Sequence, residues 1–526
     1  MSSKIKHIVI LETSDIHGNV FPINYLDNSK EQFGLTKLSS IVKDERKKND
    51  DLILIDNGDI IQGTPLTYYY AKVSKNGNNP IISILNYMKY NAAVIGNHEF
   101  NYGTKILNDS VNQSNFPWLS ANIVDKKSKK PAFGVPYITK QIDTDLKLAV
   151  LGLTTKFIPN WENPNIIKEF EFLDVVETAQ KWINMLKREK KVDIIIVSYH
   201  GGFERDIDTG YGTEIQNGEN QAYELCKKVT GMDVLLTGHQ HRKIWGKAIN
   251  GVTVVQPGYG AKNIGKVDIV LEKTSLGWKI VKKESSLLPT LNVKDDSEVI
   301  EIGKKFEEDT QKWLDTPIGK VKGDMTIKDP KEARLRDNAL IEFINKIQMI
   351  NGNVDISATA LFDNNGKGFP ANVTMRDIVS NYVYPNTLKV IRVKGKDIKD
   401  ALEVSAAYFE TFTGKVKVSS KFTVLKPHHY NYDMWEGIEY EINISRKIGD
   451  RITKLNYRGA PMEMDKEYDI AVNNYRASGG GNYDMFKNKR VIKDIPIDIS
   501  ELIADYFLKN GEVTAKVNGN WKVVHD

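Results

Sequence analysis

The sequence has little of three features that would each assign it to a particular class of protein. Its 526 residues include one cysteine, Cys226, which excludes an internal disulfide. No segment approaches the roughly 20 consecutive apolar residues that a membrane-spanning helix requires. The 73 lysines and arginines and the 68 acidic residues leave a net charge of only +5, with no concentrated basic tract. Composition therefore indicates neither a membrane partner nor a binding track for duplex nucleic acid.

The N-terminal stretch MSSKIKHIVILETSDIHG also lacks the features of a secretory leader. Two lysines precede only a short apolar run, and no small-residue cleavage site follows it. The stretch is therefore predicted to be a first β-strand, and the chain as given is expected to be cytoplasmic. A periplasmic, cell-wall or extracellular location is expected instead if a leader has been removed.

The pattern up to about residue 290 is one of short apolar strands alternating with amphipathic helices, which predicts a layered α/β domain. Most of these strands are continuously apolar, which is typical of sheets covered on both faces. The predicted strands are HIVILET from His7, DLILIDNGD from Asp51, AAVIGN from Ala92, KLAVLGLTT from Lys147, DIIIVSYH from Asp193, DVLLTGH from Asp233 and VTVVQPG from Val252.

The remaining sequence predicts a connecting helix and a second domain. Residues 293–316 are rich in charge, with apolar residues at helical spacing. Residues 317–526 mix helices, such as those from Asn338 and Lys396, with an alternating strand from Ile438. The predicted architecture is therefore an α/β domain over 1–292, the connecting helix over 293–316, and a separate α+β domain over 317–526.

Five of the predicted strands of the first domain end in polar groups beside glycine. Ligands of layered α/β sheets bind outside the carboxyl ends of the strands, so these groups are expected to converge. Five of the nine histidines lie in these short segments. The segments are Asp15-Ile16-His17, Asp56-Asn57-Gly58-Asp59, Gly96-Asn97-His98-Glu99, His200-Gly201-Gly202 and Gly238-His239-Gln240-His241.

Each of these residues alone has an ordinary structural explanation. Asp15 or Asp59 would more often be a turn residue or a helix cap, and Asn97 a left-handed turn residue. A protein without a site at this edge, however, has no reason to repeat such groups at five strand ends. Carboxylate, amide and imidazole ligands together favour Mn²⁺, Fe²⁺, Zn²⁺ or Co²⁺, and one carboxylate can bridge two such ions.

The motifs DIHG, GDIIQG, GNHE, HGG and GHQH occur in this order and resemble those of the calcineurin-like metallophosphoesterases. The resemblance implies a four-layer α/β sandwich that holds two divalent metal ions. It implies one ion on Asp15, His17 and His241, a second on Asn97, His200 and His239, a bridge at Asp59, and a proton donor at His98.

The second domain resembles the C-terminal substrate-binding domain of the bacterial 5′-nucleotidase group. The resemblance rests on NYVYPNTLKVIRVKGKDIKDALE from Asn381 and YDIAVNNYRASGGGNY from Tyr468. It implies that Tyr384 and Tyr475 stack on the two faces of a nucleobase. Without the resemblance, both tyrosines would be interpreted as half-buried core residues.

Two positions depart from the 5′-nucleotidase pattern. Phe362 stands where those enzymes carry a substrate-binding arginine, and Asn101 stands where they carry an aspartate that orients the catalytic histidine. GEN from Gly218, VVQPGYGAKNIG from Val254 and YPNTL from Tyr384 resemble the 2′,3′-cyclic-nucleotide 2′-phosphodiesterase/3′-nucleotidase branch instead.

The resemblance therefore implies hydrolysis of a small-molecule nucleotide, first as a 2′,3′-cyclic phosphate and then as a 3′-phosphate. His98 is expected to protonate the departing ribose oxygen, Asn101 to orient His98, and Glu99 to support the loop. A 5′-nucleotidase or nucleotide diphosphate sugar hydrolase is the alternative within enzymes. A non-catalytic nucleotide-binding protein is the alternative outside them.

Overall fold

The structure is a computed structural model that describes residues 4–74, 77–214, 216–424 and 427–526. The chain forms two compact units, Met1–Thr310 and Gln311–Asp526. None of the described helices is both long and apolar enough to cross a membrane.

The described part of the first unit contains fourteen strands and eight α-helices, the last of which crosses the boundary between the units. The strands are β1 (Ile5–Thr13), β2 (Leu52–Asp56), β3 (Ala92–Val94), β4 (Trp118–Leu119), β5 (Ile123–Asp125), β6 (Tyr137–Asp143), β7 (Leu146–Thr154), β8 (Phe170–Phe172), β9 (Ile194–His200), β10 (Val234–Thr237), β11 (Lys243–Ile249), β12 (Val252–Pro257), β13 (Asn263–Thr274) and β14 (Gly277–Pro289). The helices are α1 (Leu35–Lys48), α2 (Pro65–Tyr68), α3 (Pro80–Tyr87), α4 (Thr104–Gln113), α5 (Pro164–Ile167), α6 (Val175–Glu189), α7 (Ala222–Lys228) and α8 (Ser297–Leu314).

Two six-stranded sheets form the centre of the first unit. Their strand orders are β14-β13-β1-β2-β3-β4 and β11-β12-β10-β9-β7-β6. The inner strands of each sheet are parallel, so β1, β2 and β3 end at one edge, and β7, β9 and β10 end at one edge of the other sheet. All seven predicted strands are present. The long hairpin of β13 and β14 was not predicted, because its second strand is largely polar.

Alternate residues of the inner strands pack on different layers, because successive side chains of a strand point to opposite faces. Ile8 and Ile10 of β1 join a core cluster that includes side chains of both sheets. Val9 and Leu11 pack instead in a cluster with α1 residues, and β7 contributes in the same way to a cluster with α6. The order of layers is helix, sheet, sheet, helix, which confirms the predicted four-layer sandwich.

Helix α6 shows how the sequence sets the outer layer. The Asp174 side chain caps its first turn by accepting hydrogen bonds from the backbone N–H groups of Val176 and Glu177. Ile183 and Leu186 are buried against the sheet beneath. Basic residues occupy its last turn, where the helix dipole favours positive charge.

The described part of the second unit is an α+β domain, as predicted. Its strands are β15 (Pro317–Lys322), β16 (Met325–Thr326), β17 (Ile356–Ala360), β18 (Gly368–Phe369), β19 (Asn372–Thr374), β20 (Thr387–Lys394), β21 (Asp433–Glu436), β22 (Glu439–Asn443), β23 (Ile452–Tyr457), β24 (Ala460–Pro461), β25 (Glu467–Asn473), β26 (Arg490–Asp498), β27 (Glu512–Thr514) and β28 (Trp521–Val524). Its helices are α9 (Ala339–Gly352), α10 (Met375–Asn381), α11 (Gly395–Ala406), α12 (Asn474–Ala477) and α13 (Ile499–Asn510).

The largest sheet of this unit has the order β21-β17-β25-β20-β26, and a four-stranded sheet has the order β24-β23-β22-β28. Helix α9 begins after its cap Asn338, whose side chain accepts a hydrogen bond from the Ile341 backbone N–H. Residues from α9, α11 and α13 share one core cluster with the strands.

Candidate active site

The loops that follow the first-unit strands have an unusual backbone conformation. Five of the seven predicted metal ligands have positive φ angles although none is glycine: 51° at Asp15, 48° at His17, 59° at Asp59, 67° at His239 and 58° at His241. A left-handed conformation of this kind is rare for residues with a Cβ, and clusters of it mark functional sites. The sheets therefore hold these loops in a conformation that their local sequence would not adopt alone.

The Asp59 carboxylate lies at the centre of the cluster. Its Oδ1 accepts a hydrogen bond of 2.8 Å from the His98 backbone N–H. Its Oδ2 lies 3.2 Å from His200 Nε2, 3.9 Å from His17 Nε2 and 4.0 Å from His98 Nε2. Asp59 is 1% exposed. One buried carboxylate oxygen thus lies within 4.0 Å of three imidazole nitrogens from three separate segments of the chain.

One group of predicted ligands lies on the β1 side of Asp59. His241 Nε2 is 3.4 Å from Asp15 Oδ1 and 3.1 Å from His17 Nε2. The Asp15 carboxylate is held in place by the Ser14 hydroxyl and by the His239 backbone N–H. Asp15, His17 and His241 therefore present three donor atoms within 4.8 Å of one another.

The other group lies on the β9 side. Asn97 Oδ1 is 3.2 Å from His200 Nε2 and 2.9 Å from His239 Nδ1. The second nitrogen of each ring has its own partner, because His200 Nδ1 contacts the Asn57 carbonyl at 2.7 Å and His239 Nε2 contacts Glu219 Oε1 at 3.1 Å. Partners of this kind fix which nitrogen of a histidine faces a metal.

The electrostatics of the cluster favour a cation. Burial opposes ionisation of Asp59, but His200 and His98 hold the pKa of its carboxyl well below its usual range. Burial likewise disfavours a charged His200 ring, yet Asp59 raises the His200 pKa to about 10. The buried Asp59 carboxylate thus favours a positive charge beside it, and a divalent metal that binds there displaces the proton of its histidine ligand.

Two glycines allow the loops to approach closely. Gly58 has φ 97°, and a Cβ there would lie 2.7 Å from His200 Nδ1. A Cβ at Gly238 would lie 2.7 Å from Asp15 Oδ2. Both contacts would be shorter than van der Waals separation. Glycine at positions 58 and 238 therefore lets the ligand loops approach one another.

His98 is connected to a carboxylate that sequence analysis missed. His98 Nδ1 lies 2.6 Å from Asn101 Oδ1, and Asn101 Nδ2 donates a 3.0 Å hydrogen bond to Glu162 Oε2. Glu162 is 6% exposed, and burial raises its pKa. Since Glu162 lies 61 residues from Asn101 in the chain, no local motif reveals this pairing.

Glu99 contacts backbone groups instead of facing the cluster. Its carboxylate accepts hydrogen bonds from the backbone N–H groups of Gly96, Asp59 and Ile60, at 2.7, 2.9 and 2.6 Å. It thereby ties the loop after β3 to the loop after β2. This arrangement agrees with the supporting function predicted for Glu99.

Within the second unit, Tyr384 and Tyr475 are half-buried and share a third aromatic neighbour. The Tyr430 ring lies 6.0 Å from Tyr384 at 74° and 6.5 Å from Tyr475 at 73°. Tyr430 was missed because its own segment carries no recognisable motif. Phe362 packs edge-on against Tyr384 at 5.8 Å, so the position of the absent arginine adds apolar surface to this cluster.

Comparison with known proteins agrees with this geometry. The family model for calcineurin-like phosphoesterase matches residues 8–243, and the model for the 5′-nucleotidase C-terminal domain matches residues 317–488. The Salmonella typhimurium protein named 2′,3′-cyclic-nucleotide 2′-phosphodiesterase/3′-nucleotidase is 31% identical, over 98% of this chain and 88% of that protein. The chain belongs to the calcineurin-like phosphoesterase family.

Two further relatives extend the comparison. The trifunctional nucleotide phosphoesterase protein YfkN of Bacillus subtilis is 27% identical over 98% of this chain, which spans only 39% of that longer protein. A Staphylococcus aureus crystal structure named for a 5′-nucleotidase has a TM-score of 0.91 and 34% identity, and the match covers 99% of this chain and 100% of that one.

Membership of the phosphoesterase family confirms the predicted class of enzyme, a metal-dependent hydrolase of phosphoric esters. The family implies divalent metal ions, and the donor groups around Asp59 fit them. Carboxylate, amide and imidazole groups suit Mn²⁺, Fe²⁺, Zn²⁺ or Co²⁺.

Asp59→Asn tests the predicted bridge in this phosphoesterase. An amide cannot supply the charge that two cations share, so we expect fewer than two metals per chain and a loss of activity by orders of magnitude. Metal content measured by plasma mass spectrometry, together with the hydrolysis rate, checks this. Asp208→Asn, which removes an exposed carboxylate of the same unit, should change neither. Two bound metals and a near-normal rate in Asp59→Asn would remove Asp59 from the bridge.

Proposed function

We propose that this protein hydrolyses 2′,3′-cyclic nucleotides to 3′-nucleotides, and then 3′-nucleotides to nucleosides, at a two-metal centre built around Asp59. The observation that carries the proposal is the convergence of six predicted ligands on two sides of the seventh, the buried Asp59 carboxylate. Bound divalent ions would lower the pKa of a water molecule and stabilise the charge of a transferring phosphoryl group. Asp15, His17 and His241 would hold one ion, and Asn97, His200 and His239 the other.

We assign to His98 the transfer of a proton to the departing ribose oxygen. Asn101 Oδ1 can only accept a hydrogen bond, so His98 Nδ1 must carry the hydrogen between them. His98 Nε2 points toward Asp59, at the centre of the ligand cluster, and is the atom that can release a proton there. Glu162 fixes the orientation of the Asn101 amide, because its carboxylate accepts from Nδ2.

We assign recognition of the nucleobase to Tyr384 and Tyr475. Both rings are half-buried and therefore partly accessible, and stacking on an aromatic ring is worth about 1–3 kcal/mol per base for any base. Tyr430 lies edge-on to both rings, at 6.0 and 6.5 Å between ring centroids.

The names of two relatives and one residue favour cyclic and 3′-nucleotides over 5′-nucleotides, whereas the name of the Staphylococcus aureus structure favours 5′-nucleotides. Two proteins named 2′,3′-cyclic-nucleotide 2′-phosphodiesterase/3′-nucleotidase, from Salmonella typhimurium and Haemophilus influenzae, are 31% and 29% identical to this chain. The Vibrio cholerae protein named 5′-nucleotidase is 22% identical. Phe362 also stands at the position where the 5′-nucleotidase pattern has an arginine.

A comparison of substrates tests this choice. With Mn²⁺ present, kcat/KM should be higher for 2′,3′-cyclic AMP and 3′-AMP than for 5′-AMP. Bis(p-nitrophenyl) phosphate serves as the substrate that has no base. A clear preference for 5′-AMP would support a 5′-nucleotidase, and the absence of hydrolysis with any of the four would support the non-catalytic alternative.

His98→Ala should slow different substrates unequally. An alkoxide is a poor leaving group and needs a proton, so the rate on 3′-AMP should fall about 10²–10⁴-fold. A p-nitrophenolate barely needs protonation, so the rate on p-nitrophenyl esters should fall much less. The ratio of the two rates is the measurement, and His7→Ala, which alters an exposed histidine, is the matched control. Equal losses on both substrates would exclude His98 as the proton donor.

Tyr384→Ala and Tyr475→Ala should weaken nucleotide binding selectively. Loss of one stacked ring costs about 1–3 kcal/mol, which corresponds to a rise in KM of about 5- to 150-fold if KM follows binding. KM for p-nitrophenyl esters should change little, because they carry no base. Tyr457→Ala in the same unit is the control. Equal changes for both classes of substrate would mean that the tyrosines act through folding.

A further inference from the structure

Three acidic side chains converge in the second unit at a place that phosphoester hydrolysis does not require. Asp337 lies just before α9, Glu342 lies in the early part of α9, and Glu436 is the last residue of β21. One carboxylate oxygen from each lies within 4.8 Å of the others. Asp337 and Glu436 are buried, at 8% and 4% exposure.

The loop between β27 and β28 holds one oxygen of each carboxylate. The Gly519 N–H donates to Asp337 Oδ2 at 2.9 Å, the Asn518 N–H donates to Glu342 Oε2 at 2.8 Å, and the Asn518 side chain donates to Glu436 Oε2 at 2.9 Å. The remaining oxygens of the two buried acids, Asp337 Oδ1 and Glu436 Oε1, have no hydrogen-bond partner among the described residues. The loop thus orients three carboxylates and leaves two buried oxygens unsatisfied.

This arrangement places three carboxyl groups together without a paired base. Burial raises the pKa of Glu436 to about 8, and the charges of Asp337 and Glu342 add to that rise. Lys346 and Lys516 act on Glu342 only through space, and none of the described basic groups forms an ion pair with the three acids. Unsatisfied buried carboxylate oxygens are costly, so a cation bound between them would stabilise the folded state.

The chemistry of the three ligands selects that species. All three offer oxygen, and neither imidazole nor thiolate is among them, which favours hard cations over zinc or copper. Calcium accepts six to eight oxygen ligands, including carboxylates and water, in flexible geometries. Asn520 Oδ1, on the same loop, is another oxygen without a partner among the described residues.

We propose that Asp337, Glu342 and Glu436 bind a calcium ion that fastens the loop 515–520 to the start of α9 and to the end of β21. This site belongs wholly to the second unit and is independent of the two-metal centre. Its expected contribution is to stability, because a ligand that binds only the folded state stabilises that state in proportion to its occupancy.

Terbium luminescence tests the site in the 526-residue protein with its two-metal centre already loaded. Tb³⁺ occupies calcium sites, and Trp435, adjacent to Glu436 in the chain, can sensitise its emission. We expect one Tb³⁺ per chain, displaced by Ca²⁺, and an apparent affinity at least tenfold weaker in Glu436→Gln. Glu512→Gln removes an exposed carboxylate of the same unit and should bind Tb³⁺ as the parent protein does. No sensitised emission in the parent, or equal emission in Glu436→Gln, would overturn the proposal.

The melting temperature distinguishes a bound cation from a shared proton. Millimolar Ca²⁺ should raise the melting temperature of the parent protein and of Glu512→Gln, but not that of Glu436→Gln. If Ca²⁺ raises none of them, the acids share a proton and the proposal is wrong. Glutamine keeps the oxygen that accepts from Asn518, and circular dichroism verifies that the variant is folded. Should it not fold, Asp337→Asn replaces it in both measurements with the same expected results.

Discussion

The constraint on which the first unit depends is the burial of the Asp59 carboxylate among three imidazole rings. A carboxylate that is 1% exposed is costly unless charges of the opposite sign surround it. His200, whose pKa Asp59 raises, supplies such a charge, and the loops that surround Asp59 hold backbone strain, since five predicted ligands have positive φ angles. Each such residue costs about 1–3 kcal/mol, and only a rigid surrounding structure sustains that. Two six-stranded sheets, whose inner parallel strands are buried on both faces, supply the rigidity.

Much of this arrangement could be predicted because the information is local. Each ligand motif follows directly after an apolar run, and parallel strands bring their ends to one edge. The elements that escaped prediction depend on distant contacts. Glu162 lies far along the chain from Asn101, Glu219 is not adjacent to His239, and Tyr430 lies outside the recognised motifs. The positive φ angles could not be predicted either, because most aspartates and histidines have negative φ angles.

The second unit contains two distinct clusters of side chains, one aromatic and one acidic. Its aromatic cluster, with Tyr384, Tyr430 and Tyr475, offers half-buried rings suited to a flat ligand. Its acidic cluster, with Asp337 and Glu436, lies at the junction of a helix, a strand and a loop. A cation bound there would connect these three elements. The acidic residues are spread over about a hundred positions of the chain, so only the folded structure reveals them. The proposed base recognition would affect specificity, whereas the proposed cation would affect stability.

The central claim is that Asp59 bridges two ions held by two groups of ligands. An anomalous-difference map from crystals of the manganese-loaded protein tests it most directly. The account predicts two peaks about 3.5–4 Å apart, on either side of Asp59 Oδ2, one near His241 and the other near His200. A single peak, or two peaks of which one lies away from the Asp59 carboxylate, would contradict it.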